Sequence, residues 1–255
     1  MSRRGRALFG IATLVAHLAA TAASAIDFGS FETDAETDKW LTENSVTYAK
    51  IVEDIKTRND VRGYRFAARE DIPRGMMAWV DGYLEIQLKT ELSGPSRVTT
   101  LIFEMANASR SRDHWQIDLA VDEGLIRTAE EFGLAHEMIE YEALRLHRQV
   151  LIEIESRAGS LPVEFFYYVT PAPRSTKDYQ LPDLCQYLKT QKESGHTDHY
   201  YKHFDRRKSA RGTLNESLQP TPRVHLGTPL RSPRAHGRLI SGRFAARATA
   251  CRASP

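Results

Sequence analysis

Two consecutive segments with helical periodicity, separated by Gly124, constrain the fold of this chain most strongly. Over residues 96–122, apolar side chains recur every three or four positions. They are Val98, Leu101, Ile102, Met105 and Ala108. The second segment begins at Thr128, which can form a capping box with Glu131, and ends at Gly159. Its apolar stripe consists of Phe132, Ala135, Ile139, Leu146 and Val150. The pattern predicts two long amphipathic helices that bury these stripes.

A short sheet is predicted ahead of these helices. The dipeptide Asp81-Gly82 separates two apolar runs, residues 76–80 and 83–88. A two-residue hairpin turn needs positive φ at both central positions, and Asp-Gly is a favoured pair for that geometry. Residues 63–68 also have the composition of a strand. We therefore predict a small antiparallel sheet built around a β-hairpin.

Three further segments complete the predicted fold. Residues 33–58 are predicted as one helix, because Thr33 can cap it and acidic residues fill its first turn. Residues 184–192 are predicted as a last helix, whereas the aromatic run at residues 163–169 fits either a strand or a short helix. The fold class that follows is α+β, a small antiparallel sheet packed with a bundle of three or four helices.

The chain divides into three parts by charge, although its net charge is only +2. Residues 1–25 combine three Arg, an apolar stretch and an A-x-A cleavage site at residues 23–25, which predicts a secretory signal peptide. Residues 26–205 carry 21 Lys+Arg and 32 Asp+Glu, and we predict one acidic globular domain there. Residues 206–255 carry 11 Lys+Arg, one acidic residue and five of the 11 Pro, which predicts a basic, disordered tail.

The sequence FEMAN, at residues 103–107, lies on the predicted helix that follows the hairpin. In zinc peptidases with an HExxH helix, two His four residues apart bind the metal and the Glu polarises a water molecule. This chain resembles such a zincin helix with both His replaced, by Phe103 and Asn107, whereas Glu104 keeps the position of the general base. Phe cannot bind a metal and an Asn amide is a poor zinc ligand. The resemblance therefore implies that zinc peptidase activity is absent.

A second set of candidate residues lies on the helix predicted from Thr128. At about 100° per residue, His136, Glu140 and His147 lie within about 40° of one another around this helix. His147 is too far along the axis to share an ion with the other two, so His136 and Glu140 are the candidate metal ligands. Glu104 and His147 are the candidate catalytic acid–base pair. The alternative is a row of hydrogen-bonded polar residues beside a helix–helix seam.

A third candidate is the His-rich segment after Gly195. If the segment is helical, His196, His199 and His203 lie on one face, at positions i, i+3 and i+7. Neutral imidazoles in this arrangement can bind zinc or copper. The alternative is a frayed, solvated end of the domain.

We favour an exported, non-catalytic protein that binds a protein or peptide in a groove between the hairpin and the long helices. One alternative is an exported, metal-assisted hydrolase that uses Glu104, His136 and Glu140. Another is a cell-envelope protein whose basic tail contacts anionic lipid. We expect no cofactor, with zinc as the possible exception, no nucleic-acid partner for the acidic domain and no transmembrane span after signal cleavage. The expected location is the periplasm of a bacterium or the medium outside it.

Overall fold

The computed structural model describes residues 26–168 and 172–217, with side chains as far as residue 210. These residues form a three-stranded sheet and seven α-helices, so the α+β class is confirmed and the helices outnumber the predicted three or four. In chain order the elements are α1 (Asp34–Asn44), α2 (Val46–Lys56), β1 (Tyr64–Arg69), β2 (Gly75–Val80), β3 (Tyr83–Lys89), α3 (Gly94–Ser109), α4 (Ser111–Asp122), α5 (Ala129–Ala158), a 3₁₀ helix (Val163–Phe166), α6 (Leu184–Glu193) and α7 (Thr197–Ser217).

The sheet is mixed, so the prediction of an antiparallel sheet is wrong in this respect. β2 and β3 form the predicted hairpin, and Asp81 and Gly82 in its turn have φ angles of 54° and 82°. β1, however, pairs in parallel with β3, which gives the strand order β1-β3-β2. β3 is therefore the central strand, and its Leu84, Ile86 and Leu88 are fully buried. Local hydropathy marks each strand but carries no information on which strand becomes its neighbour.

The predicted helix over residues 96–122 is divided at Arg110 into α3 and α4. The Ser111 hydroxyl donates to the carbonyl of Ala108 at 2.7 Å, and the Arg58 guanidinium donates to the same carbonyl at 3.4 Å. These bonds occupy an acceptor that a continuous helix would offer to the amide four residues further on. α4 thus begins as a separate helix, and its apolar side chains pack against α5 and α7.

The predicted helix over residues 33–58 is divided as well, at Ser45. Thr33 caps its start as predicted. Ser45 has an extended backbone and accepts a hydrogen bond from the amide of Tyr48, which caps α2. Its hydroxyl also donates to the Glu153 carboxylate of α5 at 2.6 Å. One serine therefore starts α2 and attaches it to α5.

Helix α5 lies at the centre of the fold. Thr128 and Glu131 form the predicted capping box, and Gly159 ends the helix with a φ of 88°. α3 packs along α5, and both contribute to one hydrophobic core with α2 and β3. The buried side chains at this contact include Leu101, Ile102, Met105, Val150, Leu151 and Ile154. Two smaller clusters join α5 to α4 and α7 and, separately, to α6.

Helix α7 continues past the predicted end of the domain. The prediction places the boundary after residue 205, whereas α7 runs from Thr197 to Ser217. The predicted signal peptide, residues 1–25, and residues 218–255 of the predicted tail lie outside the described residues. Within the described ranges, none of the helices combines the length and the apolar character that crossing a membrane requires.

The Glu153 carboxylate provides a test of how α2 is attached to α5. It accepts hydrogen bonds from the Ser45 hydroxyl, from the Thr47 amide at 2.9 Å and from the Thr47 hydroxyl at 2.5 Å. Partial burial acts to raise the pKa of Glu153, but these bonds together lower it below the ordinary value of 4.5. We expect Glu153→Ala to lower the free energy of unfolding by about 1–3 kcal/mol at neutral pH, because it leaves partly buried donors unpaired.

The pH dependence of this effect has a definite sign. Because the pKa of Glu153 is lower in the folded state, its stabilisation is present above the unfolded pKa and is lost as the pH falls through the folded pKa. Urea unfolding of the two proteins should therefore converge at acidic pH. Glu142→Ala, which removes the partner of the exposed Arg145 on the same helix, is the control and should cost less than about 0.5 kcal/mol. Equal costs for the two variants would contradict the assigned role of Glu153.

Candidate metal centre

A cleft of about 980 Å³ opens between the sheet and the helices. Its lining comes from β2, α3, α4, α5 and the start of α7. The ionisable and amide side chains that line it include Glu104, Asn107, Asp118, His136, Glu140 and His196. A cleft in which several ionisable groups converge is a candidate functional site.

Glu137, Glu140 and His196 form a close group of potential metal ligands. One ligand atom from each lies within 4.8 Å of the other two. Nδ1 of His196 is 3.0 Å from Oε1 of Glu137, and Nε2 of His196 is 3.8 Å from Oε2 of Glu140. Glu137 is fully buried and Glu140 nearly so, whereas 45% of the His196 side chain is exposed. Two carboxylates and one imidazole thus meet here, and of the three residues Glu140 and His196 line the cleft.

Hydroxyl groups from α6 and α7 hold the two carboxylates of this group. Thr197 donates to Oε1 of Glu137 at 3.0 Å, and Tyr187 donates to Oε2 at 3.4 Å. Tyr200 donates to Oε1 of Glu140. Hydrogen bonds of this kind commonly orient the carboxylates that bind a metal ion.

Glu104 approaches the same cleft from α3. It is only 6% exposed, and its charge interacts with those of Glu140 and His196. Burial and then the Glu140 charge raise the pKa of Glu104 to about 8, against the opposing effects of Asn107 and His196. Gly75 of β2 makes room for this side chain, because a Cβ atom there would lie 2.9 Å from Cγ of Glu104.

The pKa values of Glu140 and His196 are raised as well. Burial raises the pKa of Glu140 to about 7, although the His196 charge opposes the change. The pKa of His196 rises to about 9, chiefly through its hydrogen bond with Glu137. Buried carboxylates that lie close together favour bound positive charge, whether this is a proton or a metal ion.

A stack of rings lies beside this group. The rings of His136 and Tyr200 are nearly parallel with centroids 4.5 Å apart, and those of His114 and His136 are 4.9 Å apart. The Nδ1 atoms of the two histidines are 2.7 Å apart. Burial lowers the pKa of both histidines, that of His114 to about 4, so both imidazoles are neutral at pH 7.

Three of the four predicted site residues line this one cleft. They are Glu104, His136 and Glu140. Glu140 lies with Glu137 and His196, and the group of ligand atoms that these three form does not include His136. The third candidate segment also reaches the cleft, since His196, His199 and His203 all line it.

His147, the predicted partner of Glu104, lies in the hydrophobic core. It is fully buried, does not line the cleft, and its Nε2 is 2.8 Å from the Thr99 hydroxyl. That hydroxyl donates to the Phe165 carbonyl, so it accepts from His147. Burial lowers the pKa of His147 to about 3. Its position fits a neutral core residue and not the predicted acid–base role, because two further turns along α5 carry the same helix face into the core.

The sequence pattern did not single out Glu137 or join it to His196. A usable indication was Gly133, in the interior of α5, where a Cβ atom would lie 2.7 Å from atoms of both Thr197 and Tyr201. A glycine inside a helix is destabilising unless another element approaches closely there. Gly133 therefore marks the surface on which α7 packs, and Glu137 follows one turn later.

Comparison with protein-family models, with curated proteins and with solved structures gave no match for this chain. The resemblance of residues 103–107 to a zincin helix therefore stays a prediction. Geometry and electrostatics of the cleft carry the functional argument.

The raised pKa values predict how the stability of the metal-free protein depends on pH. An acid whose pKa is higher in the folded state destabilises the fold as the pH rises from the unfolded to the folded value. Glu104 does so between the ordinary value of 4.5 and about 8, and Glu140 does so between 4.5 and about 7. His196 acts in the same direction, because its stabilising proton is lost as the pH rises through about 9. Below the ordinary histidine value of 6.5 the buried neutral histidines His114, His136 and His147 oppose this decline, because there the unfolded chain binds protons that the folded protein does not. With a chelator present, we therefore expect the free energy of unfolding to fall between about pH 6.5 and about 9.

Glu104→Gln should flatten that decline, because an amide of the same shape does not ionise. Urea unfolding at a series of pH values measures the slope for each protein. Glu91→Gln is the control, since 78% of the Glu91 side chain is exposed, and it should keep the wild-type slope. A Glu104→Gln profile parallel to that of the wild type would argue against a buried carboxyl group that holds its proton.

Proposed function

We propose that this protein is a metal-dependent hydrolase in which Glu137, Glu140 and His196 bind one divalent cation. The observation that carries the proposal is the convergence of ligand atoms from these three residues to within 4.8 Å. Ligand distances of about 2.0–2.2 Å to an ion such as zinc suit a triangle of this size after small side-chain shifts. Carboxylate and imidazole ligands are compatible with zinc, manganese and iron.

The charges in the cleft support a cation at this position. Burial holds the pKa values of Glu104 and Glu140 near or above neutrality, so in the free protein these groups retain protons. A divalent ion would take the place of such protons, and its binding would release them. Oδ1 of Asn107, which is buried in the cleft lining, has no hydrogen-bond partner among the described residues and offers a further oxygen.

Glu104 is the residue that we propose as general acid and base. It comes from α3, whereas two of the three ligands come from α5, and it therefore faces the ion from a different helix. In the free protein the pKa of Glu104 is about 8, and the charge of a bound cation would lower it, so that the carboxylate could accept a proton and return it near neutral pH. The cation would supply the positive charge that polarises a scissile carbonyl group. Glu104 would accept a proton from the attacking water molecule and pass it to the leaving group.

A second candidate function is the binding of a peptide without cleavage, and the rim of the cleft favours it. Three large apolar side chains of the lining are unusually exposed, Met76 by 38%, Trp79 by 45% and Trp115 by 47%. Two of them, Met76 and Trp79, lie on β2, which is an edge strand of the sheet. Exposed apolar groups beside a sheet edge are typical of peptide recognition. The same rim would hold the substrate of a hydrolase.

Export stays part of the proposal on the strength of residues 1–25. A basic start, an apolar stretch and a small-residue cleavage site support it. Lipid contact by the basic tail, the remaining alternative, is supported by the charge of residues 206–255 alone.

Metal content and peptide cleavage, measured on the same samples, test the hydrolase. We expect Glu140→Gln to lose one equivalent of bound metal and all activity. Glu104→Gln should keep its metal while its turnover falls by about 10²–10⁴-fold, because only proton transfer is removed. Glu142→Gln, on the same helix, is the control and should resemble the wild type. Folded wild-type protein that binds no metal at this site, or full activity in Glu104→Gln, would contradict the hydrolase proposal.

Peptide affinity, measured by calorimetry, tests the rim. Trp79→Ala should weaken binding of a peptide by about 1–3 kcal/mol, because an exposed aromatic side chain supplies much of the contact area. Val46→Ala is the control, since Val46 is 82% exposed and does not line the cleft. Undiminished binding by Trp79→Ala would argue against this surface. Binding that depends on Trp79 in a protein without cleavage activity would favour the second candidate function.

A further inference from the structure

Two buried polar atoms, one on α5 and one on α4, face each other in the lining of the cleft. Nε2 of His136 is 3.9 Å from Oδ1 of Asp118. Both atoms are buried, and neither has a hydrogen-bond partner among the described residues. The His136 side chain is only 4% exposed. An unpaired buried polar atom is costly, and here two of them lie close together.

The hydrogen bond on the other side of the His136 ring determines whether Nε2 carries a proton or a free lone pair. Nδ1 of His136 lies 2.7 Å from Nδ1 of His114, and one of the two must carry the shared proton. With the proton on His136 Nδ1, Nε2 presents a bare lone pair towards the Asp118 carboxylate. With the proton on His114, a buried N–H group of His136 would remain unpaired, because 3.9 Å is too long for a hydrogen bond to Asp118. The first arrangement is that of a metal-binding histidine held by a second hydrogen bond.

His203, on α7, supplies a third donor. Its Nε2 is 4.0 Å from the same Oδ1 of Asp118, and its side chain is 36% exposed. The other oxygen of Asp118 is 3.4 Å from the Arg207 guanidinium. Arg207 thus orients the carboxylate so that Oδ1 points to both imidazoles.

We propose that Asp118, His136 and His203 form a second cation site, which takes a late first-row divalent ion such as zinc. Ligand atoms around a tetrahedral ion with bonds of about 2.0–2.2 Å lie about 3.3–3.6 Å apart, so the observed gaps of 3.9 and 4.0 Å to Asp118 must shorten slightly. The ring centroids of His136 and His203 are 6.5 Å apart, so the partly exposed His203 has to rotate inward when the ion binds. Two imidazoles and one carboxylate leave a fourth position open towards the cleft. This donor set is richer in nitrogen than that of Glu137, Glu140 and His196, which favours zinc over magnesium or calcium.

The second site shares no ligand with the proposed hydrolytic centre. Tyr200 connects the two, since its ring stacks on His136 and its hydroxyl donates to Glu140. The sites can therefore be tested separately, by variants that alter one and leave the other intact.

Zinc stoichiometry of the full chain tests this proposal. The protein is stripped with a chelator, dialysed against zinc and analysed for its metal content. We expect two equivalents in the wild type, one in His203→Ala and one in Asp118→Asn. His199→Ala is the matched control, because His199 lies on the same helix and lines the same cleft, and it should keep two. Circular dichroism and thermal unfolding confirm that each variant is folded.

X-ray absorption at the zinc edge identifies the ligands of the second ion. In Glu140→Gln the one remaining zinc should have two imidazole ligands, and combining Glu140→Gln with His203→Ala should weaken its binding at least tenfold. Loss of all zinc in Glu140→Gln, or equal stoichiometry in His203→Ala and the wild type, would overturn the second site. Failure of the hydrolytic centre alone would give a different result. The wild type would then bind one zinc, which would be lost in His203→Ala and kept in Glu140→Gln.

Discussion

The packing of α3 against α5 is the contact on which the rest of the structure depends. Their apolar faces form the main core together with α2 and β3. Glu104 lies on α3 and Glu140 on α5, and both face the cleft next to this contact. The burial of ordinary apolar residues therefore sets how close the two carboxyl groups lie. Two rigid helices thus hold Glu104, Glu137 and Glu140 with little loss of precision, whereas His196 comes from the short turn between α6 and α7.

Burial of so many acidic groups requires compensation elsewhere in the fold. The hydroxyls of Thr197, Tyr187 and Tyr200 satisfy carboxylate oxygens, but they are neutral and do not cancel charge. The charged partner that the described residues provide is His196, which stands partly exposed at the surface of the cleft. Replacing the single charge of the partly exposed His196 by the charge of a divalent cation would therefore stabilise this buried acidic group.

The features that could be predicted from sequence are those whose cause lies within a few residues. The capping box of Thr128 and Glu131 and the Asp-Gly turn of the hairpin are local and are confirmed. Glu104 could be placed by helix periodicity. The direction of β1 and the pairing of Glu137 with His196, 59 residues away, depend on how distant elements pack. A helical wheel gives the angle of a residue around its helix and not the depth of its surroundings, and for that reason it did not predict that His147 is fully buried.

The position of Arg207 has a consequence for any shortened form of this protein. Composition alone suggests trimming the chain after Asp205, where basic residues begin to dominate. Arg207, however, lies 3.4 Å from Asp118 and 2.5 Å from Asp122, and it follows Phe204, which is buried between α4 and α5. Trimming there would cut through α7, expose part of a hydrophobic cluster and leave two carboxylates of α4 without their neutralising charge. By its contacts, Arg207 thus belongs to the acidic globular domain and not to the basic tail.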